Sequence, residues 1–202
     1  ALLLALIIGV FLGSIAALNQ NKKTDVFIVT FATFGITTPN YVIAPILTLI
    51  FALTFSILPA TGWGSPSQMV LPVISLALPQ IAIVTRLMRG SMLEALKSDH
   101  IRTARAYGLP MTHVVGKHAM RSALLPVLSY LGPAAAALMT GSIVIEQIFN
   151  LPGIGRYFVT SALNRDYTMV MGTVIIVATL VLVFNLIVDL LYTVLDPRVR
   201  YD

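Results

Sequence analysis

Apolar runs that are long enough to cross a lipid bilayer constrain this chain more than any other feature. A membrane-spanning helix needs about 20 mostly apolar residues, and the 202-residue sequence contains five such runs. Only 10% of the residues are charged, whereas soluble domains carry about 25%. The sequence therefore predicts an all-α membrane protein, a polytopic helical bundle surrounded by lipid. The predicted spans are 1–18, 26–58, 69–87, 124–145 and 169–191.

The second run, 26–58, is longer than one straight span requires. As a helix its 33 residues would extend about 50 Å, against a hydrocarbon core of about 30 Å. Pro39, Asn40 and Pro45 interrupt it, so it is either one kinked or tilted span or two spans, of which the first would be short. A bend that lines a pathway makes Pro39 and Asn40 candidates for a translocation path or gate. A kink needed only for packing is the simpler explanation of each proline taken alone.

The distribution of Lys and Arg predicts which side of the membrane each interval faces. With five spans, eleven of the 13 Lys and Arg residues lie on one side, and only Arg156 and Arg165 lie on the other. Positively charged loops stay on the cytoplasmic side, so the interval 90–123 is predicted to face the cytoplasm. Two spans within 26–58 would move two lysines to the outer side and weaken this pattern.

The chain begins with Ala1, inside an apolar run. A signal peptide would instead begin with a positively charged segment before its apolar core. We therefore expect residues 1–202 to form a single transmembrane domain that is truncated at its N-terminus, with at least one further span before the first residue.

The interval 90–123 is the one long polar stretch of the sequence. Ser98 and Asp99 can cap a helix, Gly108 suits the left-handed residue that ends it, and Pro110 can open a second helix. We predict two short amphipathic helices that form a compact basic knob. One interpretation places its basic face on the anionic lipids of the inner leaflet, and the other makes it a docking surface for a soluble protein.

The side chains of these two helices are predicted to segregate by helical period. In the first helix, Ile101, Ala104 and Tyr107 are expected on one face, away from the arginines. In the second helix, His113 and His118 are five residues apart and expected on different faces, which argues against a metal site.

Two stretches of the interval resemble the cytoplasmic coupling motif of ABC importer permeases. They read RTARAYGL at 102–109 and HAMRSALLP at 118–126. The general family pattern has Glu-Ala-Ala, a Gly and a closer Leu-Pro pair, whereas here Arg102 and Thr103 replace the Glu and the first Ala. These departures resemble the peptide/nickel branch of the family.

The resemblance covers nearly the whole chain. EQIFNLPGIG at 146–155, NRDY at 164–167 and DPR at 196–198 are similar to the same branch, above all to oligopeptide permease subunits of the B type. Subunits of that type have six spans, so the resemblance implies that this chain carries five of the six.

The resemblance also implies an ATP-driven importer of oligopeptides in a bacterial inner (cytoplasmic) membrane. The permease would pair with a second homologous permease, receive substrate from an extracytoplasmic binding protein, and dock on two ATPase subunits. The carry-over of the motif gives these ATPase-coupling residues: Arg102, Thr103, Ala104, Arg105, Ala106, Gly108 and Leu109. The motif records coupling rather than cargo, so dipeptides, nickel and glutathione stay open as alternatives.

Other classes of function fit the sequence less well. An intramembrane enzyme would need a motif such as H-E-x-x-H or G-x-S-x-G, which the sequence lacks, and a channel would not explain the coupling motif. The only Gly-Lys pair, Gly116-Lys117, lacks the Gly that opens a phosphate-binding P-loop. We expect no catalytic, cofactor or metal site in this chain, ATP use by partner subunits, and membrane lipid but no nucleic acid among its partners.

Two acidic residues lie in or beside the predicted spans, where acidic residues are candidates for function. Glu146 lies at the outer end of a helix, where substrate contact at a gate and a structural role at the helix end are both open. Asp189 lies near the inner end of the last span, where pairing with a basic residue is the preferred interpretation.

Overall fold

The computed structural model describes residues 1–139 and 143–195. These residues form helices joined by short turns and loops, which confirms the predicted all-α class. The helices are α1 (Leu2–Leu18), α2 (Lys23–Thr37), α3 (Asn40–Leu47), α4 (Pro66–Lys97), α5 (Asp99–Ala106), α6 (Met111–His113), α7 (Met120–Met139), α8 (Ile143–Ile148), α9 (Ile154–Leu163) and α10 (Tyr167–Leu195). The segments Thr48–Thr54 and Val114–Ala119 are π-helical and continue α3 and α6.

Length and apolar composition qualify two described helices as membrane spans. They are α4 and the Tyr167–Ile187 stretch of α10, while α1 is a shorter apolar helix of 17 residues. The pair Lys23–Thr37 and Asn40–Thr54 qualifies as a third span if it is counted as one broken helix. The five predicted spans and their bounds otherwise stay a prediction.

The segment predicted as one long or two short spans contains a sharp bend. The axes of α2 and of the α3 segment differ by 103°, more than a tilted or gently kinked helix would show. Thr38 and Pro39 are both extended at this bend, with ψ values of 117° and 146°. The ring of a proline disfavours helical geometry in the residue before it, so the sequence Thr38-Pro39 explains why α2 ends here.

Helix α4 extends beyond the predicted span 69–87 into the polar interval 90–123. A capping box of Ser65 and Gln68 starts it, and it runs without a break through Gly90 to Lys97. Its 32 residues extend about 48 Å. One rigid helix therefore connects the predicted outer loop to the start of α5.

Helix α1 packs on α4 through small residues. A Cβ atom at Gly9 would lie 2.7 Å from the Cβ of Val84, and one at Gly13 would lie 2.6 Å from the carbonyl oxygen of Thr85. Both distances are too short for any side chain. Small residues allow this close approach of helix backbones in membranes, and the two glycines therefore set the distance between α1 and α4.

A single apolar cluster connects the predicted spans with α5. Met92 and Ala95 of α4, Ile101 of α5 and Val114 and Ala119 of the second π-helical segment all belong to it. The cluster continues along α4 and α7 to Val84 and Val127. Helix α5 is thus packed onto the end of α4 and onto the second π-helical segment, which leads into α7, and does not form a separate unit.

Candidate functional site

Helix α5 begins where α4 stops, at Ser98. The carbonyl oxygen of Ser98 accepts the backbone N–H groups of Ile101 and Arg102, both at 3.1 Å. Its hydroxyl donates to the carbonyl oxygen of Ala95 at 2.5 Å, so the side chain does not cap α5 as the sequence predicted. The hydroxyl instead bonds a backbone carbonyl group in the last turn of α4. Ser98 alone therefore forms the corner between the two helices.

Gly108 ends α5 in the left-handed conformation that the sequence predicted, with φ at +75°. Its N–H group donates to the carbonyl oxygen of Arg105 at 2.9 Å, and the N–H group of Leu109 donates to that of Ala104 at 3.4 Å. These two bonds form a Schellman motif. The chain then leaves α5 in a fixed direction, with extended geometry at Pro110.

The structure divides the seven predicted coupling residues into two groups. Ala104 is buried beside Ile101 in the core cluster, and an ATPase contact at Ala104 stays a prediction. The other six are exposed. They are Arg102, Thr103, Arg105, Ala106, Gly108 and Leu109.

Tyr107 lies outside the face that the helical period predicted for it. Its side chain is 82% exposed, because it is the last residue of the turn before Gly108 and the helical period no longer holds there. Leu109 and Met111, which follow it in the sequence, are also exposed. Together with the exposed Arg102 and Arg105, these three residues define what we call the α5 surface, which combines two basic side chains with three largely apolar ones.

The two histidines of the second segment are closer than predicted. The ring centroids of His113 and His118 are 5.7 Å apart, in an edge-to-face arrangement. A π-helix bonds residue i to residue i+5, so residues five apart align, whereas in an α-helix they would diverge. Within 1–139 and 143–195, no group of three or more His, Cys, Asp or Glu side chains could hold a metal ion.

A hydrogen bond joins α4 to α7 beside the apolar cluster. The hydroxyl of Ser91 in α4 donates to the carbonyl oxygen of Ala123 in α7 at 2.6 Å. Ser91 lies between Met88 and Met92 on α4, which are both fully buried. Helix α4, on which α5 packs, is therefore itself held to α7.

A buried ion pair that the sequence analysis did not find joins α2 to α4. The Nε and Nη2 atoms of Arg89 donate to the two carboxylate oxygens of Asp25 at 2.6 and 2.7 Å. Asp25 is 2% exposed and also accepts the N–H group of Asn21 at 2.9 Å. The two partners are 64 residues apart in sequence, so no local pattern relates them.

An apolar cavity of about 540 Å³ lies between α1, α2, α3 and α4. Thr38 and Ile43, which line it, flank the bend at the predicted path residues Pro39 and Asn40. Pro39 is exposed and Asn40 is half-buried. The cavity is lined by Leu12, Phe27, Ile28, Phe31, Ala32, Phe34, Gly35, Thr38, Ile43, Leu78, Ile81, Ala82 and Thr85.

Glu146, the third predicted gate residue, caps a helix. Its Oε2 atom accepts the N–H group of Arg156 in the first turn of α9 at 2.8 Å. The guanidinium of Arg156 donates to Oδ1 of Asn150 at 2.7 Å, and a Cβ atom at Gly153 would collide with the carboxylate. This geometry supports the structural interpretation of Glu146, and a role as gate stays a prediction. The side chain of Asp189 and residues 196–198 lie outside the described residues.

Replacing Glu146 with Ala is expected to loosen the start of α9. A lost N-terminal cap costs about 0.5–2 kcal/mol, so hydrogen exchange at the Arg156 amide should rise about 2- to 30-fold. Exchange mass spectrometry of the intact permease measures this. Glu94 is an exposed carboxylate on α4, and Glu94→Ala is the matched control with unchanged exchange in α9. Equal exchange at the Arg156 amide in the two variants would contradict the proposal that Glu146 caps α9.

Comparison with known proteins decides the family. The sequence profile of the family described as binding-protein-dependent transport system inner membrane component matches residues 9–201. The chain belongs to this family. The description of this family, as a component of inner membrane transport systems, agrees with the apolar helices of the chain.

Similar proteins of this family carry the names of peptide permeases. The chain is 51% identical over 199 residues to the oligopeptide transport system permease protein OppB of Haemophilus influenzae, covering 98% of this chain and 65% of that protein. It is 52% identical over 203 residues to OppB of Salmonella typhimurium, covering 100% and 66%. It is 44% identical over 200 residues to the dipeptide transport system permease protein DppB of Bacillus subtilis, covering 99% and 65%. The chain thus spans slightly less than two thirds of the length of these relatives.

Proposed function

We propose that this chain is part of a permease subunit of an ATP-driven oligopeptide importer, a transport subunit rather than an enzyme. The observation that carries the proposal is the α5 surface: a short helix buried on one side by Ile101 and Ala104 that presents Arg102, Arg105 and Tyr107 on the other. A rigid, exposed, partly apolar surface with paired arginines suits a protein partner better than solvent. The partners are two ATPase subunits beneath α5, a second homologous permease and an extracytoplasmic binding protein.

The α5 surface faces the cytoplasm in this proposal. Its arginines belong to the set of Lys and Arg residues that the positive-inside rule assigns to that side. ATP binding and hydrolysis take place in the ATPase subunits. Movement of α5 passes to α4 and to the second π-helical segment, which pack against it, and from there to α7, because the core cluster and the Ser91–Ala123 hydrogen bond join these elements.

Oligopeptides are the proposed cargo. Support comes from the relatives named for oligopeptide transport, which are 51–52% identical, against 44% for the relative named for dipeptide transport. The cavity beside the bend is apolar, which is compatible with a passage that must accept many different side chains.

Binding of the ATPase subunits to the complete permease tests the proposal. The double variant Arg102→Ala and Arg105→Ala is expected to weaken binding about 10- to 100-fold, since arginines in interfaces often carry much of the binding free energy. Uptake of a labelled oligopeptide into proteoliposomes should fall with it.

The matched control removes two other exposed cations from the same predicted side. Lys22 and Lys23 lie outside the α5 surface, and Lys22→Ala with Lys23→Ala should leave ATPase binding near the wild-type level. An equal loss in both double variants would indicate non-specific charge attraction. If the arginine variant binds the ATPase subunits fully but no longer binds anionic vesicles, the α5 surface binds membrane lipid and not the ATPase subunits. Uptake that persists without ATPase subunits would indicate a channel.

A further inference from the structure

Among the described residues, the Asp25–Arg89 pair is the one ion pair with a buried member, and it joins α2 to α4. Both carboxylate oxygens of Asp25 and two nitrogens of Arg89 take part, and this forked geometry fixes the orientation of both side chains. The Arg89 side chain is 27% exposed and that of Asp25 is nearly inaccessible. The pair therefore lies at the edge of the bundle with its acidic member inside.

A pair of this kind positions helices more than it stabilises them. The attraction of two buried charges is largely offset by the cost of removing them from water, and α1 and α4 already pack closely without charges at Gly9 and Gly13. The ion pair instead fixes how the two helices are aligned, because it holds the turn of α4 that contains Arg89 against the first turn of α2. The additional bond from Asn21 to Asp25 holds the turn between α1 and α2 at the same point.

The position of Arg89 along α4 connects the pair to the α5 surface. Arg89 lies next to Met88 and one turn before Met92 and Leu93, which pack in the cluster that buries Ile101. About two turns of unbroken helix separate Arg89 from the corner at Ser98. A displacement of α5 would therefore carry Arg89 with it.

The position of Asp25 connects the pair to the bend and the cavity. Asp25 is in the first turn of α2, a helix of 15 residues whose other end is the bend at Thr38. Near that end α2 touches α4 again, where a Cβ atom at Gly35 would lie 3.0 Å from the Cβ of Ala82. Helix α2 is thus held to α4 by an ion pair at one end and by close packing beside the cavity at the other.

We propose that Asp25 and Arg89 are positioning residues for coupled transport: the ion pair makes α2 follow the movement of α4 and α5, so that the cavity below the bend changes together with the α5 surface. The proposal rests on the proposed function, because it requires ATPase subunits that move α5. It assigns the coupling of α2 to a contact that belongs neither to the α5 surface nor to the residues that line the cavity.

The test uses the complete importer in proteoliposomes and measures peptide transported per ATP hydrolysed. In Asp25→Asn and Arg89→Gln, ATPase binding and ATP hydrolysis should continue while this ratio falls at least fivefold. Arg89→Lys keeps the charge but loses the fork, and its ratio should lie between those of wild type and Arg89→Gln. Tyr130→Phe is the matched control, because it removes another hydrogen bond between helices, from Tyr130 to Gln80 at 2.5 Å, and should keep the wild-type ratio.

A purely structural role predicts a different pattern. It would lower the yield of assembled importer, and transport and hydrolysis would fall in proportion with an unchanged ratio, which would overturn the proposal. Where the two neutral variants fail to assemble, Arg89→Lys alone decides, and a wild-type ratio in it likewise overturns the proposal. Failure of the proposed function is seen separately, because the wild-type permease would then not bind ATPase subunits at all.

Discussion

Gly108→Val is expected to reduce coupled peptide uptake at least tenfold. Gly108 has φ at +75°, a region in which a β-branched side chain is a severe outlier, at a cost of about 1–3 kcal/mol. Within the described residues no atom lies within 4 Å of the position that its Cβ would take. The penalty is therefore conformational, and a change of φ to relieve it would break the Schellman bonds and turn Leu109 away from the α5 surface.

Two control variants separate this conformational effect from the mere addition of a side chain. Gly108→Asn fills the same free space, but Asn tolerates the left-handed region, so uptake should stay close to wild type. Gly116→Val adds the same side chain within the second π-helical segment, at a glycine that also has no described atom near its Cβ position, and its φ is not positive. Uptake assays with all three variants check the prediction, and normal uptake by Gly108→Val would show that the direction of the chain after α5 is irrelevant to coupling.

The features that could be predicted from the sequence are those with local causes. The left-handed end of α5 follows from Gly108 and Pro110, whose backbone preferences hold in any context. The close approach of α1 to α4 also has a local cause in Gly9 and Gly13, because small residues in a spanning helix allow close packing. The helical class follows from the length of the apolar runs, since the bilayer leaves few alternatives for satisfying the backbone.

Two kinds of feature could not be predicted from the sequence. Some depend on departures from the α-helical period of the side chains, and others depend on contacts between residues that are far apart in sequence. Tyr107 was placed on the buried face by a helical period that ends at that residue. His113 and His118 were separated by an α-helical period, whereas the segment is π-helical and brings their rings together. Ala104 belongs to the motif of the resemblance, yet its burial depends on how α5 docks onto α4 and the second π-helical segment.

The Asp25–Arg89 pair is another contact that could not be predicted from the sequence. Each residue alone looks like an ordinary charge at the end of a span, and only the packing of α2 on α4 brings them together. The bend at Thr38 and Pro39 has a local cause, but its angle of 103° depends on what packs against α3. Residue motifs thus locate helix α5, and tertiary packing determines which of its residues are exposed.

The glycines of α1 provide the other large expected effect, because they set how α4 is held. Gly13→Ala is expected to destabilise the assembled permease by about 1–3 kcal/mol, and Gly13→Val by more, since overpacking a close contact displaces its neighbours. A Cβ atom at Gly13 meets the carbonyl oxygen of Thr85 at 2.6 Å and the backbone nitrogen of Arg89 at 3.0 Å. Backbone atoms cannot move aside as a flexible side chain does, so α1 has to separate from α4.

Thermal unfolding of the purified permease, followed by loss of the monodisperse peak in size-exclusion chromatography, measures this effect. Gly172 on α10 is the matched control, because the described residues place no atom within 4 Å of its Cβ position, and Gly172→Val should unfold at nearly the wild-type temperature. The clash at Gly13 lies beside Arg89, so Gly13→Ala should also lower the ratio of transport to hydrolysis in the fraction that assembles. Wild-type stability in Gly13→Val would mean that α1 does not pack on α4 at Gly13. The position of α4 against α1, and with it the position of Arg89 opposite Asp25, would then be wrong.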